Sequence, residues 1–196
     1  VLAFVQKMEG CTFMEALESL CRRYHIEMPR RKLTDEEAEQ YKLREAARIA
    51  IDAAQRFFRE RLPEASSFLA ARGYDVVSDR TLADYGVGYA PAGNALLAAL
   101  SQAGYSTDRL KDVGVVAVGD HGPYDVFRDR VMFPFYDLGG HVVGFSGRIV
   151  TPRDGAGKYV NTGETSLFTK GRMLFGLYQA RKAIGKAGFA YLVEGQ

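Results

Sequence analysis

The apolar residues of the N-terminal third of the chain recur every three or four positions, which is the spacing of an amphipathic helix. A first helix is predicted to follow Thr12, its N-cap, with Glu15 at the capping-box position. A longer helix is predicted from Thr34, where Glu37 stands in register to complete a second capping box. Its apolar face should comprise Ala46, Ala47, Ile49, Ala50, Ala53, Ala54, Phe57 and Phe58. The apolar run over residues 1–5 predicts a short strand ahead of both helices.

After residue 63 the pattern changes to short segments separated by glycine. Helices are predicted over residues 64–72, 79–84, 94–103, 107–113 and 174–182, and strands over 86–91, 115–118, 158–161 and 189–193. The strongest signal is a hairpin, in which the β-rich runs 131–136 and 142–150 are joined by turn-forming residues. Short strands mixed with short helices predict an α+β fold.

Cations stand at the ends and edges of the predicted hairpin and of the extended segment after it. They are Arg128, Arg130, Arg148, Lys158 and Lys170, with the amide of Asn161 among them. Because strands are stiff, side chains mounted on them point in fixed directions. Guanidinium groups bind phosphate through paired hydrogen bonds and lysine adds a compact charge, so phosphate is the ligand that suits this set best.

The same residues also have structural interpretations. Each cation is equally consistent with a solvated surface charge or with a partner of Asp125, Asp129 or Asp137. Arg130 is consistent with an internal strut, since Asp129 and the surrounding strand offer partners. The phenylalanines and glycines of the hairpin are expected to serve packing, with base stacking and close phosphate approach as the functional alternatives. They are Phe127, Phe133, Phe135, Phe145, Gly144 and Gly147.

Composition and charge place the chain among ordinary globular proteins. It has 196 residues, of which 47% are hydrophobic and 26% charged. The net charge of +2 is uneven, because residues 1–120 carry 16 basic and 18 acidic side chains while residues 121–196 carry 10 and 6. The excess positive charge therefore lies with the hairpin and favours an anionic partner there.

The remaining composition bears on cell compartment and chain ends. Cys11 and Cys21 form neither a zinc-ligand set nor a disulfide framework, so we expect reduced packing residues in a cytoplasmic protein. No apolar run approaches the length of a membrane span, about 18 residues, and no signal peptide opens the chain. Both ends fall in apolar segments, which favours an interior fragment of a longer protein.

Several short motifs follow one another along the chain. They are RG at 72–73, GYAP at 88–91, FRDRVMFP at 127–134, VVGFSGR at 142–148, KYVNTGET at 158–165, FTKGRMLFGLY at 168–178 and LVEG at 192–195. In this order they closely resemble the bacterial DNA primases of the DnaG type. The resemblance covers essentially the whole chain, and several motifs in one order are far more specific than any one alone.

The resemblance implies the fold of the N-terminal subdomain of a DnaG-type catalytic core, an α+β fold with an antiparallel hairpin. Residues 1–29 would be the tail of the family's zinc-binding domain, and residues 30–62 a linker and helix. Residues 63–188 would be the N-terminal subdomain of the RNA-polymerase core, and residues 189–196 the first strand of the toprim α/β domain.

The resemblance also implies an activity: DNA-templated synthesis of short RNA primers from ribonucleoside triphosphates for DNA replication. Nucleotide and template binding carries over to Arg72, Arg148, Lys158, Asn161 and Lys170, with Arg128 and Arg130 as supports. The implied partners are single-stranded DNA, ribonucleoside triphosphates, an RNA–DNA hybrid and the replicative helicase, the last through a C-terminal region absent from this chain. No membrane partner is implied.

Glu194 matches the acid of the toprim Glu-Gly motif, so the resemblance implies a catalytic role and binding of Mg²⁺ or Mn²⁺ there. One carboxylate does not build a two-metal site, and the other ligands are expected beyond Gln196. The zinc ligands of the upstream domain are absent from this chain. The chain alone is therefore expected to bind ligand without priming. Two alternatives remain open, a non-catalytic single-stranded nucleic-acid-binding module of a mobile element and a toprim nuclease relative.

Overall fold

A computed structural model describes residues 1–9, 13–26 and 34–194 as a mixture of helices and short strands. The helices are α1 (Leu2–Glu9), α2 (Phe13–Tyr24), α3 (Asp35–Glu60), α4 (Ser66–Ala70), α5 (Arg80–Asp84), α6 (Ala95–Gln102), α7 (Thr107–Asp112) and α8 (Leu177–Ala187). The strands are β1 (Gly88–Ala90), β2 (Val116–Gly119), β3 (Gly122–Asp125), β4 (Arg130–Tyr136), β5 (Val142–Ile149) and β6 (Tyr159–Asn161). Single 3-10 turns occur at Leu62–Ala65 and Lys170–Arg172. The mixture confirms the predicted α+β class.

The strand predicted for residues 1–5 is wrong, because these residues begin helix α1. An apolar run of five residues has no period of its own, so it does not distinguish a strand from a helix that packs through one face. Helix α1 packs against α2, where Ala16 is fully buried. The cap predicted for α2 depends on Thr12, which lies outside the described residues.

Helix α3 begins as the sequence predicts. The Thr34 hydroxyl accepts the Glu37 N–H at 3.2 Å, and the Glu37 carboxylate accepts the Thr34 N–H at 3.0 Å. The predicted apolar face is wrong at one position, because Ile49 is 52% exposed while Ile51 is fully buried. Alanines fit both faces equally well, so only the large residues reveal the helical phase. The buried residues of α3 are Ala47, Ala50, Ile51, Ala53, Ala54, Gln55, Phe57 and Phe58.

The predicted hairpin is confirmed and forms the centre of a four-stranded antiparallel sheet in the order β1-β4-β5-β6. Its turn closes with a hydrogen bond from the Gly140 N–H to the Asp137 carbonyl at 3.0 Å. Gly140 has φ +87°, a left-handed conformation that favours glycine. The pairing shifts by one residue between Phe135 and Tyr136, so β5 contains a bulge there.

The two faces of this sheet pack differently. One face contacts α3, and there Phe58, Phe127 and Phe145 meet edge to face with ring centroids 5.3–6.5 Å apart. On the opposite face Val131 packs with residues of α4 and α5. Phe168, from the irregular segment after β6, is fully buried against Phe135. The hairpin phenylalanines are therefore core residues, apart from the half-buried Phe133.

The glycines of the hairpin also serve packing. A Cβ on Gly144 would lie 2.8 Å from the Phe168 ring, and one on Gly147 would lie 2.8 Å from the Phe127 ring. Neither position is open to a ligand from that side, because a buried ring already occupies it.

Strands β2 and β3 form a separate two-stranded ladder. The helix predicted from residue 174 starts only at Leu177, because Gly176 adopts a left-handed φ of +79°. The strand predicted over residues 189–193 is wrong: this segment has no regular structure, and its large apolar side chains are 61–88% exposed. A strand needs a neighbour for its backbone hydrogen bonds, and no described strand lies beside these residues.

Two further observations concern the cysteines and the length of the apolar helices. Cys21 is buried and free, as expected for a packing residue, whereas Cys11 lies outside the described residues. Within the described residues, no helix is both long and apolar enough to cross a membrane.

Candidate functional site

A row of directly paired residues crosses the sheet face that lies away from α3. Tyr89, Val131, Arg148 and Tyr159 are consecutive partners on β1, β4, β5 and β6. Direct cross-strand partners point to the same face, so Arg148 projects between an apolar neighbour and an aromatic one. Its guanidinium carbon lies 5.7 Å from the ring centroids of both Tyr159 and Phe68, the latter from α4. The side chain is therefore held over two rings.

Arg72 reaches the same place from the end of α4. Its Nη1 donates to the Phe68 carbonyl at 2.8 Å, and its guanidinium carbon lies 3.5 Å from the Phe68 ring centroid. Lys158, from the loop before β6, joins these residues around an open cavity of about 360 Å³. Arg72, Arg148 and Lys158 thus line one cavity, which we call the cationic cavity.

Arg130 lies inside the protein, at the start of β4, and is only 6% exposed. Its guanidinium donates to three backbone carbonyls, those of Gly147 at 2.9 Å, Gly157 at 3.0 Å and Lys158 at 3.4 Å. Burial lowers its pKa, and the nearby charge of Arg153 adds to that effect. Of the two interpretations open for Arg130, this geometry favours the internal strut. Its partners are strand and loop carbonyls.

The carboxylate of Asp129 pairs with Arg153, with an N–O distance of 3.4 Å, and is almost fully buried. It also accepts the Tyr89 hydroxyl at 2.9 Å and the Thr151 N–H at 3.2 Å. Burial acts to raise the pKa of Asp129, but these hydrogen bonds outweigh burial and the pKa is lowered. Burial and the bond to Asp129 together raise the pKa of Tyr89 to about 12. Asp129 itself has φ +53°, a left-handed conformation that Asp tolerates better than most residues.

Arg128, the residue before Asp129, lines a different cavity, of about 300 Å³, beside the β2–β3 hairpin. Its Nη2 donates to the Asn94 Oδ1 at 2.7 Å, and its guanidinium carbon lies 5.1 Å from the Tyr124 ring centroid. Asn94 also accepts the Asp125 N–H at 3.1 Å.

Asp125 fixes the position of helix α6, which follows Asn94, the hydrogen-bond partner of Arg128. Its carboxylate accepts the N–H groups of Leu96 and Leu97, both at 2.9 Å, and so caps helix α6. Burial raises the pKa of Asp125, although these two hydrogen bonds oppose the shift. The predicted pairing of a hairpin cation with Asp125 is therefore indirect, through Asn94.

The remaining predicted residues lie apart from the cationic cavity. Asn161 pairs with Ser146 in the sheet, two residues along β6 from Tyr159 and therefore on the same face. Lys170 is exposed on the turn after Phe168, where its N–H donates to the Glu164 carboxylate at 3.0 Å. Glu194 is exposed near the C-terminus. Across the described ranges, no group of three or more His, Cys, Asp or Glu side chains is arranged to hold a metal ion.

The sequence did not identify Phe68, Tyr159 or Asn94 as parts of the site, and it offered Asp129 only as a structural partner of the cations. Phe68 stands four residues before Arg72, a helical spacing that brings an aromatic ring beside a guanidinium, so that pair was detectable. The contacts of Asp129 and Asn94 join residues 22 to 40 positions apart, and no local pattern reports them.

Residues 53–181 match the family model described as DNA primase catalytic core, N-terminal domain. The DNA primase of Deinococcus radiodurans is 38% identical over 199 residues, which cover 100% of this chain and 33% of that protein. The DNA primase of Streptomyces coelicolor is 36% identical over 205 residues, which cover 99% of this chain and 31% of that protein. The chain thus spans about a third of the length of these relatives.

Solved structures give the same result. The RNA polymerase domain of Mycobacterium tuberculosis primase DnaG, crystallised with double-stranded DNA, superposes with a TM-score of 0.70 at 33% identity. That match covers 78% of this chain and 49% of the other. The Aquifex aeolicus primase, solved as its zinc-binding and RNA polymerase domains, gives a TM-score of 0.69 at 32% identity, covering 100% of this chain and 46% of the other.

Proposed function

The chain belongs to the DnaG-type family of bacterial DNA primases, and on that premise we propose that the intact protein synthesises short RNA primers for DNA replication. It would copy a DNA template using ribonucleoside triphosphates. This chain would bind template and nucleotide but would not synthesise primers by itself. The observation that carries the proposal is the convergence of Arg72, Arg148 and Lys158 on one cavity. The DNA named in the structures of related primases supports a nucleic-acid template as partner.

In this proposal the cationic cavity binds the triphosphate. Arg148 and Arg72 present planar guanidinium groups that bind phosphate oxygens in pairs, and Lys158 adds a mobile point charge. Asn161 lies on the same face and supplies an amide donor. Lys170 does not line the cationic cavity, so its assignment to nucleotide or template stays a prediction that rests on its motif. Arg128, with Tyr124 beside it, is assigned to the template strand.

The chemistry assigned to these residues is electrostatic. In primer extension a 3′-hydroxyl attacks the α-phosphorus and loses its proton to solvent, one P–O bond forms, and the P–O bond to the departing pyrophosphate breaks. Negative charge increases on the pyrophosphate as it leaves, and fixed cations stabilise it where it develops. The cations of this chain thus act by positioning and neutralisation, and none of them needs to exchange a proton.

The metal assignment stays a prediction. Mg²⁺ or Mn²⁺ bound at Glu194 would supply charge stabilisation at the reacting phosphate, but Mg²⁺ prefers several oxygen ligands. The described residues bring no such group together around Glu194, so no step is assigned to the ion. The relative from Aquifex aeolicus has a zinc-binding domain by name, and residues 1–29 are proposed as the end of the corresponding domain here.

We also propose a linker and helix over residues 30–62, the N-terminal subdomain of the RNA-polymerase core over residues 63–188, and the start of a toprim domain over residues 189–196. An RNA–DNA hybrid and a replicative helicase in the cytoplasm are the further partners expected of a primase. The alternative of a non-catalytic binding module is not favoured, since the matched relatives are named primases. A toprim nuclease relative is disfavoured for the same reason.

The test compares the full-length protein with its Lys158→Ala and Lys170→Ala variants. Binding of inorganic tripolyphosphate and single-stranded DNA is measured against salt, and primer synthesis is assayed with Mg²⁺. We expect both variants to lose synthesis while keeping their melting temperature, and Lys111→Ala, an exposed lysine of α7, to behave as wild type. Full synthesis by both variants would refute the assignment of the triphosphate site. Salt-dependent DNA binding by a wild type that never synthesises primers would favour the binding module.

A further inference from the structure

A second cavity, of about 300 Å³, adjoins the cationic cavity and shares Phe68, Arg72 and Arg148 with it. Its floor is the sheet face away from α3, where Val131 and Phe133 stand on β4. Residues of α4, α5, β6 and the segment before α8 complete its lining. We call it the aromatic cavity, because six of its thirteen lining residues carry rings. These are Phe68, Tyr74, Tyr85, Phe133, Tyr159 and Phe175.

The rings of this cavity are not all buried by their neighbours. Phe175 is 36% exposed and Tyr74 is 43% exposed. The rings of Tyr85 and Phe133 lie 5.9 and 6.3 Å from Phe175, which holds them at defined angles of 33° and 84°. A concave, largely apolar surface built from fixed rings is the usual form of a small-molecule site.

Of the described residues that line this cavity, only Arg72 and Arg148 are charged, and both also line the cationic cavity, so its charge lies on the side where the two cavities meet. Thr81 of α5 and Tyr85 at the end of that helix also line it and carry hydroxyl groups. A matching ligand is flat, apolar on both faces, polar at its edge and anionic at one end. A nucleobase joined through its sugar to phosphate has all four properties.

We propose that the aromatic cavity binds the nucleobase of a nucleotide whose phosphates lie in the cationic cavity. Aromatic stacking accepts every base, because each base has a π face, and this suits a site that must take all four nucleotides. The inference rests on the proposed function for the phosphates and adds the base subsite. The base can come from a free ribonucleotide or from single-stranded DNA, and both carry the same chemistry.

The test uses 2-aminopurine, whose fluorescence is quenched when it stacks. Full-length protein is titrated with 2-aminopurine riboside triphosphate and, separately, with a single-stranded oligonucleotide carrying one 2-aminopurine among abasic residues. Tyr85→Leu and Phe175→Leu remove rings from the cavity, and Tyr41→Leu, 63% exposed on α3, is the matched control. Melting temperatures identify any variant that fails to fold, and two separate ring variants keep the test decisive if one does.

We expect quenching with wild type and Tyr41→Leu, and about tenfold weaker binding of the probe by the ring variants, in line with the loss of one stacking contact. Binding of inorganic tripolyphosphate should be unchanged in the ring variants, since it has no base. Quenching with only one probe identifies the source of the base. Absence of quenching with both probes, or equal probe affinity in folded ring variants and wild type, overturns the base subsite. Tripolyphosphate binding that is insensitive to Lys158→Ala overturns the phosphate site instead.

Discussion

Replacement of Arg130 by Met tests whether this buried cation acts on the backbone or on ligand. Methionine keeps much of the side-chain length and removes every donor. The carbonyl of Gly147 lies in the middle of the sheet and would lose its 2.9 Å bond from Arg130, and that of Gly157 lies in an exposed loop that water can reach. The Lys158 carbonyl keeps its 3.0 Å bond from the Ile149 N–H, so the loss at that carbonyl is small. Loss of the buried bond costs about 1–3 kcal/mol and loss of the partly hydrated bond about 1 kcal/mol. Release of the guanidinium from its buried position offsets part of this, so we expect a net loss of about 2 kcal/mol in the free energy of unfolding.

The functional effect of Arg130→Met should pass through Lys158. Arg130 holds the Gly157 carbonyl directly before Lys158, while the Lys158 carbonyl is also held by the Ile149 N–H, so loss of Arg130 loosens the loop on the N-terminal side of Lys158. Tripolyphosphate affinity should fall to about that of Lys158→Ala, and the double variant should bind no more weakly than either single variant. If instead Arg130 met a phosphate, its removal would lower affinity further in the Lys158→Ala background.

Urea unfolding gives the stability change, and single-stranded DNA binding at several salt concentrations separates the two roles. A lost phosphate contact reduces the log–log salt slope by about 0.7, whereas a lost strut leaves the slope of the Lys158→Ala background unchanged. Arg130→Lys is the matched control, because it keeps the charge but cannot reach three carbonyls at once. A further drop in slope for Arg130→Met in that background, with wild-type slope for Arg130→Lys, would refute the strut.

Two further predictions concern stability. Gly144→Ala should lower the free energy of unfolding by about 1–3 kcal/mol, because its Cβ would meet the buried Phe168 ring. Gly163→Ala is the control, since a Cβ at that position would meet open space. Equal urea midpoints for the two variants would contradict this prediction. Asp129→Asn should lower the free energy of unfolding at neutral pH. The pKa of Asp129 is lowered in the folded protein, so its ionised form stabilises the fold above the unfolded pKa of about 3.9. That contribution disappears as the pH falls through the folded pKa. The urea midpoints of wild type and Asp129→Asn should therefore differ at pH 7 and approach each other as the pH falls to about 3. A difference that stays the same would show that ionisation of Asp129 is irrelevant.

The hairpin and the long helix could be predicted from sequence because their signals are local. A capping box at Thr34 and a turn before His141 each involve residues a few positions apart, and both are observed. Motif order identified the family, which the comparisons confirm. It also selected Arg72, Arg148 and Lys158, which the fold brings to one cavity.

The errors arose where local pattern does not decide the structure. An apolar run fits either element, so residues 1–5 were assigned to a strand and form a helix. A strand depends on its neighbours, so the β-rich residues 189–193 have no strand structure where no described strand pairs with them. The role of Arg130 depends on carbonyls 17 to 28 residues away, and a sequence does not show which carbonyls lack partners.

The cross-strand pairing of Arg148 with Val131 and Tyr159 has a consequence for folding errors. A slip of one residue between β4 and β5 would exchange the two faces of β5, placing Arg148 against α3 and Phe145 on the face away from α3. Such a misfolded molecule would lose its core and its cations together, so it could not accumulate as a stable but inactive species. The bulge in β5 opposite Phe135 and Tyr136 is a second feature that is present only when the two strands are correctly aligned. Correct alignment of the sheet and formation of the site therefore occur in the same step.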